Sequence, residues 1–328
     1  MKAWLLDDFT GTDALRLADV PDPVLQPGEA LLEVRYAALN PADRYLAERQ
    51  YPAKPPLPHI LGRDALGTVL SVKGGAGLRV GDKRLLLRGA VGVTRPGSFA
   101  QRVAAPVENL AAVPEAWSDA EAAGASLVYL TAYQALTMWG PLPSGAVVLV
   151  SGASGGVGIA ALQLATAMDY VVVGLSRSRE KARCLESLGA AAVFDPHDPE
   201  WRLQLKNKLA PRRVDLAIDN VGGSLLPEVI DTVSDLGKVS LVGRLAGPVP
   251  NFNTGALFFR RLRMGGVAVG AYTNEESRAA WEQVVLLLAR TGARPQVDSI
   301  FAFSQLPQAF RRLAQGPFGK VLLRVSEQ

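Results

Sequence analysis

Two short stretches of this chain carry residue types whose spacing suits chemistry. The first is SGASGGVG, Ser151–Gly158, where Gly152, Gly155, Gly156 and Gly158 crowd together between an apolar run and a helical pattern. Glycine is costly in backbone entropy. It is used where a strand must turn sharply or where backbone must approach something closely. The run approximates a G-x-G-x-x-G fingerprint, with Ala153, Gly155 and Gly158 at its three positions, so the first glycine is replaced by alanine. The context carries the reading: a strand precedes it and a helix follows. Free N–H groups and the dipole at a helix start favour an anion such as a pyrophosphate. The plainer alternative is a tight strand–helix turn without a ligand.

The second stretch is SRSREK, beginning at Ser176. In a dinucleotide fold, an acid at the end of the second strand bonds the ribose 2′-OH of NAD. Here that place falls on Ser176, followed by Arg177 and Ser178, with Lys181 one helical turn on. Two cations and two hydroxyls suit a 2′-phosphate, which arginine grips bidentately and an acid would repel. Cations are not favoured at a helix start by its dipole, so a bound anion explains them better than chance placement. These residues predict NADPH as the cofactor.

Other chemistries find little support. The single cysteine, Cys184, can form no internal disulfide and no cysteine-based zinc cluster. Its neighbours Leu185 and Leu188 predict a buried helix face, so it reads as core filler. His59 lies in the proline-rich YPAKPPLPHI, and His197 in the loop-like DPHDPEW. A net charge of +4 over 328 residues does not suggest a nucleic-acid binder. The cluster Arg260, Arg261 and Arg263 reads as a solvated strand edge. No apolar run is long enough to span a membrane. Asp7 and Asp8 interrupt what a signal peptide would need, and a soluble cytoplasmic protein is expected.

The elements that must position these residues follow from pattern. Residues up to about Pro114 are rich in strands and turns, including strand–glycine turn–strand over Asp64–Leu87. Ser118 with Glu121 three residues on predicts a capped helical segment to Leu136. After Pro143 comes a regular alternation. Strands are predicted at Ala146–Val150, Tyr170–Leu175, Ala191–Phe194, Val214–Asp219, Lys238–Val242 and Leu262–Val269. Helices are predicted at Val157–Met168, Arg179–Leu188 and Leu225–Asp235. Short apolar strands separated by helices imply a doubly wound parallel sheet covered on both faces, an α/β fold of Rossmann type. A long helix over Glu275–Ala289, the strand VDSIFAF, a helix over Leu306–Leu313 and a last strand GKVLLRV complete the chain.

The chain resembles the medium-chain dehydrogenase/reductase superfamily, and within it the zinc-free quinone oxidoreductase (zeta-crystallin-like) branch. The resemblance rests on AALNPADRYL (Ala37–Leu46), LGRDALGTV (Leu61–Val69), VGD (Val80–Asp82), LTAYQAL (Leu130–Leu136), SGASGGVG, DNVGG (Asp219–Gly223) and GKVLL (Gly319–Leu323). It implies a mostly β GroES-like catalytic domain, residues 1–120 plus 272–328, into which an NADPH-binding Rossmann domain, residues 121–271, is inserted. It implies reduction of quinones or α,β-unsaturated carbonyls, and a homodimer joined around Gly265–Ala271. Cofactor contacts are carried over to Asn40, Thr131, Ser154, Gly155, Gly156, Val157, Ser176, Arg177, Lys181, Asn220, Val242 and Gly243, and catalytic roles to Asn40 and Tyr45. The zinc-dependent branch has a cysteine near the place of Pro41 and a His-Glu pair where this chain has Arg63-Asp64. Where some relatives set a tyrosine against the adenosine phosphate, this chain has Pro196.

Without zinc, charge developing on the substrate oxygen must meet fixed hydrogen-bond donors. Asn40 is the implied donor; its competing role is to cap a helix ahead of Pro41. Tyr45 and Tyr51 are phenolic donors or ring walls, with packing favoured for Tyr45. Asp43 and Asp64 read as holders of backbone turns. Two alternatives remain: an enoyl-thioester reductase whose coenzyme A phosphates meet Arg260–Arg263, and a non-catalytic NADPH-binding structural protein.

Overall fold

A computed structural model describes residues 1–74, 77–87, 89–247 and 253–326. The first segment runs β1 (Lys2–Leu6), β2 (Leu15–Asp19), β3 (Glu29–Ala38), α1 (Pro41–Ala47), β4 (His59–Ile60), β5 (Asp64–Lys73), β6 (Lys83–Leu86), β7 (Arg102–Pro106), β8 (Leu110–Ala112) and α2 (Asp119–Ala123). Next come α3 (Ser126–Thr137), β9 (Val147–Val150), α4 (Gly156–Ala167), β10 (Val171–Leu175), α5 (Arg179–Ser187), β11 (Ala192–Phe194), α6 (Trp201–Leu209), β12 (Val214–Asp219), α7 (Leu225–Thr232), β13 (Val233–Leu241), α8 (Gly255–Phe259) and β14 (Arg263–Gly266). The chain closes with α9 (Asn274–Thr291), β15 (Val297–Ala302), α10 (Leu306–Ala314) and β16 (Lys320–Arg324). The glycine turn expected between β5 and β6 has its tip, Gly75 and Ala76, outside the described residues.

Two compact units result. One comprises Met1–Leu127, Gly270–Trp281 and Arg294–Gln328, the other Val128–Val269 and Glu282–Ala293, so the division passes within α9. The first unit holds a sheet in the order β15-β16-β3-β5-β6-β8, with β7 beside β3, and a smaller sheet β2-β1-β4. Antiparallel pairing of β16 with β3 sets Leu322 opposite Ala38, which brings the C-terminal strand beside the start of α1. Leu32, Val34, Val69, Phe99, Val321 and Leu323 lie in its core.

The second unit is built on a six-stranded sheet, β11-β10-β9-β12-β13-β14, parallel throughout. Its strands are short and apolar, as a sheet covered on both faces requires. The α/β class and the parallel sheet expected from the alternation hold. The sequence pattern predicts no element directly after β11, yet the chain forms a helix there. Trp201, Leu205 and Leu209 recur every four residues and are its buried face. Cys184 corrects an expectation: it is exposed, because α5 buries only Leu185. Among the described residues, no helix is long and apolar enough to cross a membrane.

Candidate functional site

In the second unit the singled-out residues converge on the carboxyl ends of the parallel strands, where ligands sit in folds of this kind. β9 ends at Val150 and the chain turns through Ser151–Ser154 into α4, with Gly155 as its N-cap and Gly156 as its first residue. No side chain among the described residues caps that helix, so its leading N–H groups lack intrahelical partners. Gly155 is extended, and a Cβ there would meet nothing nearer than the Gly152 carbonyl oxygen at 3.5 Å. Gly158 differs sharply: a Cβ would lie 2.5 Å from the Gly152 oxygen and 2.6 Å from Ala153 Cα. Gly155 leaves space before the helix, whereas Gly158 lets the helix pack on the turn.

At the end of β10, Ser176 is buried and its N–H bonds the Phe194 carbonyl. Arg177 is exposed and has no hydrogen bond or ion pair among the described residues. Ser178 acts locally, since its hydroxyl accepts the Lys181 N–H at 3.3 Å and caps α5. At the ends of β12 and β13 the Asp219 carbonyl accepts the N–H groups of Val242 (2.9 Å) and Gly243 (3.3 Å). The Ser151 hydroxyl donates to Asp219 Oδ1 at 2.5 Å, and the Asn220 amide donates to the Ser151 carbonyl at 2.8 Å. Burial pushes the Asp219 carboxyl above its ordinary pKa against the bonds from Ser151, Val221 and Gly222. Asn220 Oδ1 is buried with no partner among the described residues. A buried acceptor left over in an otherwise satisfied network is what a ligand hydroxyl would complete. Thr131 lies on α3, outside the turns at the strand ends.

The first unit contains a different arrangement. Asn40 is the N-cap of α1 and is buried. Asp43 reaches back to bond the Asn40 N–H at 2.9 Å. The Asn40 side chain does not cap: Nδ2 donates to Asp64 Oδ2 at 2.9 Å, and Oδ1 accepts from Lys320 Nζ at 2.7 Å. Lys320 also donates to the Leu39 carbonyl (3.0 Å) and to Asp64 Oδ2 (3.2 Å), and both charged residues are buried. Asp64 Oδ1 takes the Ser126 hydroxyl at 2.8 Å and the Leu127 N–H at 3.2 Å at the start of α3. Asp64 therefore does more than hold a turn. It joins the starts of α1, α3, β5 and β16.

Beside it, Arg63 is buried. Its Nε donates to Asp43 Oδ1 at 3.0 Å, and its guanidinium lies 4.8 Å from the centroid of the Tyr51 ring. Burial opposes the Arg63 charge, but Asp43 and Tyr51 outweigh it and hold its pKa above the ordinary value. Burial likewise raises the Asp43 carboxyl, although Arg63 and the Asn40 N–H oppose the rise. His59 is not in an exposed loop: it sits in β4, buried, and desolvation takes its pKa down to about 4. The Tyr45 hydroxyl is buried without a partner, and Arg44 lies over its ring.

Comparisons with known proteins bear on the family and the fold. Residues 26–115 match the family model "Alcohol dehydrogenase GroES-like domain", and residues 156–290 match "Zinc-binding dehydrogenase". The mouse synaptic vesicle membrane protein VAT-1 homolog is 30% identical over 98% of this chain and 83% of its own length. The quinone oxidoreductase of Lama guanicoe is 28% identical over 98% of this chain and 97% of its own. A solved NAD-dependent alcohol dehydrogenase superposes with a TM-score of 0.91 at 26% identity, covering 99% of this chain and 100% of the other. A mycobacterial protein solved in complex with NADPH gives 0.89 at 26%, with the same coverage. The chain belongs to the medium-chain dehydrogenase/reductase superfamily. Within it the likeness is to the zeta-crystallin-like branch.

The superfamily implies a nicotinamide dinucleotide, and the second unit of this dehydrogenase/reductase fits one. The uncapped α4 start, the space before Gly155 and the orphaned Asn220 acceptor lie at the carboxyl ends of the neighbouring strands β9 and β12. The name of the second family model implies a zinc ion, and the described residues do not fit one. Among the described residues, no group of three or more His, Cys, Asp or Glu is placed to hold a metal. Asp64 is paired with Lys320 and Asp43 with Arg63. Lys320 lies within the GKVLL motif, but sequence reasoning assigns it no role in the first-unit cluster. Its signal is faint but present: one lysine stands directly before the apolar VLL of the strand KVLLR, whose other charge, Arg324, is exposed.

Proposed function

We propose that this chain is a cytoplasmic NADPH-dependent reductase that transfers hydride to quinones or α,β-unsaturated carbonyls without zinc. The observation that carries the cofactor choice is the end of β10, where buried Ser176 and unpaired Arg177 stand in place of an acid. A 2′-phosphate would give Arg177 its missing partner, with Lys181 one turn away. Ser154, Gly155, Gly156 and Val157 would hold the pyrophosphate at the start of α4. Asn220, Val242 and Gly243 would meet the remainder of the dinucleotide, and Thr131 would be a further contact. NADPH held there would supply the hydride, and its transfer to a quinone or to the β-carbon of an enone would leave negative charge on the substrate oxygen for the protein's own donors to meet. Asn40 donates a hydrogen bond to that oxygen, the role a metal plays elsewhere. Tyr45 and Tyr51 line the same region as ring walls, and water supplies the product proton.

A homodimer through β14 accompanies this reading. That strand is an edge of the parallel sheet, and an exposed edge is a template for a second copy. The enoyl-thioester alternative keeps only part of its basic cluster: Arg260 is engaged with Asp235 and with the Ile230 and Val233 carbonyls, while Arg261 and Arg263 are exposed. Steady-state oxidation of NADPH and NADH with 1,4-benzoquinone and with an alkenal tests the reading. Turnover that favours NADPH and persists after chelation is expected. Tight binding with no turnover across the panel would instead support the structural alternative.

A further inference from the structure

Asn40 opens a helix at Asn-Pro, where an asparagine side chain ordinarily turns back to cap its own first turn. Here the helix is capped in the other direction, by Asp43 onto the Asn40 N–H. The carboxamide is thereby released and turned into a buried cluster of two full charges. Burying a lysine and an aspartate together is weak as a stabilising device, because desolvation offsets their attraction. Such pairs find their best-attested use in fixing one arrangement among several.

Every hydrogen-bonding capacity of the pair is used. Lys320 Nζ has three donors and three acceptors: Leu39 O, Asn40 Oδ1 and Asp64 Oδ2. Asp64 accepts on Oδ1 from Ser126 and Leu127 and on Oδ2 from Asn40 and Lys320. The consequence falls on the amide. If it flipped, its NH2 would face an ammonium and its carbonyl oxygen would face a carboxylate, two repulsive contacts in a buried site. One Nδ2 hydrogen is committed to Asp64. The other has only the Ala38 carbonyl at 3.5 Å, at the outer limit of a hydrogen bond.

We propose that Lys320 and Asp64 are positioning residues that lock the Asn40 carboxamide in one orientation, so that it always presents an N–H donor, never a carbonyl, to the substrate oxygen. The proposal rests on the reading of Asn40 as the oxyanion donor. It adds that the cluster is built from the far end of the chain, so the C-terminal strand takes part in catalysis through Asn40. The ammonium on Oδ1 also draws charge from the amide and strengthens the donor.

The test uses the full-length protein and the variant Asp64→Asn/Lys320→Met, which leaves no lone buried charge, alongside Lys320→Arg and Asn40→Ala. Made in the wild-type background, the double change should lower kcat for NADPH and 1,4-benzoquinone by roughly 10- to 100-fold with little change in KM, as a donor felt in the transition state predicts. In an Asn40→Ala background the same change should move kcat by less than about twofold, because its effect has to pass through Asn40. Lys320→Arg should retain most of the activity. Losses that simply add would overturn the lock while leaving the reductase reading intact. If wild type shows no turnover, the reductase reading fails, and a readout independent of turnover decides the lock. In 15N-asparagine-labelled protein, the side-chain amide pair that Asn40→Ala removes should exchange slowly with solvent. In the double variant it should exchange much faster. Unchanged exchange would overturn the proposal, and should the double variant fail to fold, Asp64→Asn alone with the same exchange measurement replaces it: unchanged exchange there would overturn it.

Discussion

The Asn40 cluster and the lip of the parallel sheet are both polar, but they are finished to different degrees. Around Asn40 the two charges have all their hydrogen-bond partners inside the protein. Around Gly155 the helix start is uncapped, Asn220 Oδ1 is orphaned, and Arg177 is unpaired among the described residues. A completed network is rigid and specifies one geometry. An incomplete one has left places for something else to fill. The difference separates residues that orient from residues that bind, and it does so without reference to any relative.

The strongest way to break that distinction is at the two glycines of the lip. Gly158→Val should cost more than about 4 kcal/mol, enough to prevent folding, because its side chain would overlap the Gly152 and Ala153 backbone. Gly155→Val should melt almost as wild type does, since nothing is in the way. It should nevertheless lose the stabilisation that saturating NADPH gives wild type, about 2.7 kcal/mol at a hundred times the dissociation constant. Thermal melting with and without NADPH checks both. A stable Gly158→Val, or a Gly155→Val that still gains from NADPH, would erase the contrast.

The finished region is probed by removing one charge. Lys320→Met leaves Asp64 buried and unpaired, and should cost about 3–5 kcal/mol in urea unfolding. Asp64→Asn/Lys320→Met should recover a large part of that loss. If the single variant is no worse than the double, the pair is not coupled as its geometry requires.

Proton linkage sharpens the comparison further. The unfolded His59 imidazole takes its proton near 6.5, the folded one only near 4, because burial disfavours the charge and the Arg63 guanidinium adds to it. Between those values the unfolded chain binds more protons, so stability is fully present above 6.5 and falls as pH drops towards 4. The loss is at most about 3 kcal/mol, from the size of the shift. Asp43 and Asp219 act in the opposite sense: their raised folded pKa values make acid less damaging. Urea unfolding of wild type and His59→Gln at pH 7.5 and 4.5 isolates the histidine. Equal losses in both proteins would remove it from the account.

Much of this is legible in the chain, and the reason depends on range. Apolar strands and the glycine run are local patterns, so the parallel sheet and the β9–α4 turn follow from sequence. α6 is equally local in Trp201, Leu205 and Leu209, but the exposed Leu203 blurs the period and the other intervening positions are polar. Cys184 looks buried from its two leucine neighbours, of which only Leu185 is buried. The Asn40 cluster cannot be read locally. Its members come from the starts of α1, β5 and β16, and only the pairing of β16 with β3 brings Lys320 to Asp64. Arg63 is visible as an oddity beside Gly62, but its partner Asp43 lies across the fold on α1.

The smallest expected effect is the most specific. Arg177 is exposed, so removing it should leave the apo protein's stability within about 0.5 kcal/mol of wild type. Its contribution should emerge only with ligand. An arginine bonded to a phosphate contributes roughly 1.5–3 kcal/mol, which is about ten- to a hundredfold in affinity. NADH lacks the 2′-phosphate, so Arg177→Ala should weaken NADPH by that factor and leave NADH almost unchanged. Raised salt should narrow the difference between the cofactors in wild type, because an exposed cation is screened, and should have little effect in the variant. Calorimetric titration of both cofactors into both proteins at low and high salt decides the matter. Equal losses for NADPH and NADH would mean that Arg177 meets some shared part of the dinucleotide. No loss for either would mean that its lack of a partner marks only a solvated surface, and the contrast between an unfinished lip and a finished cluster would then rest on Gly155 and Asn220 alone.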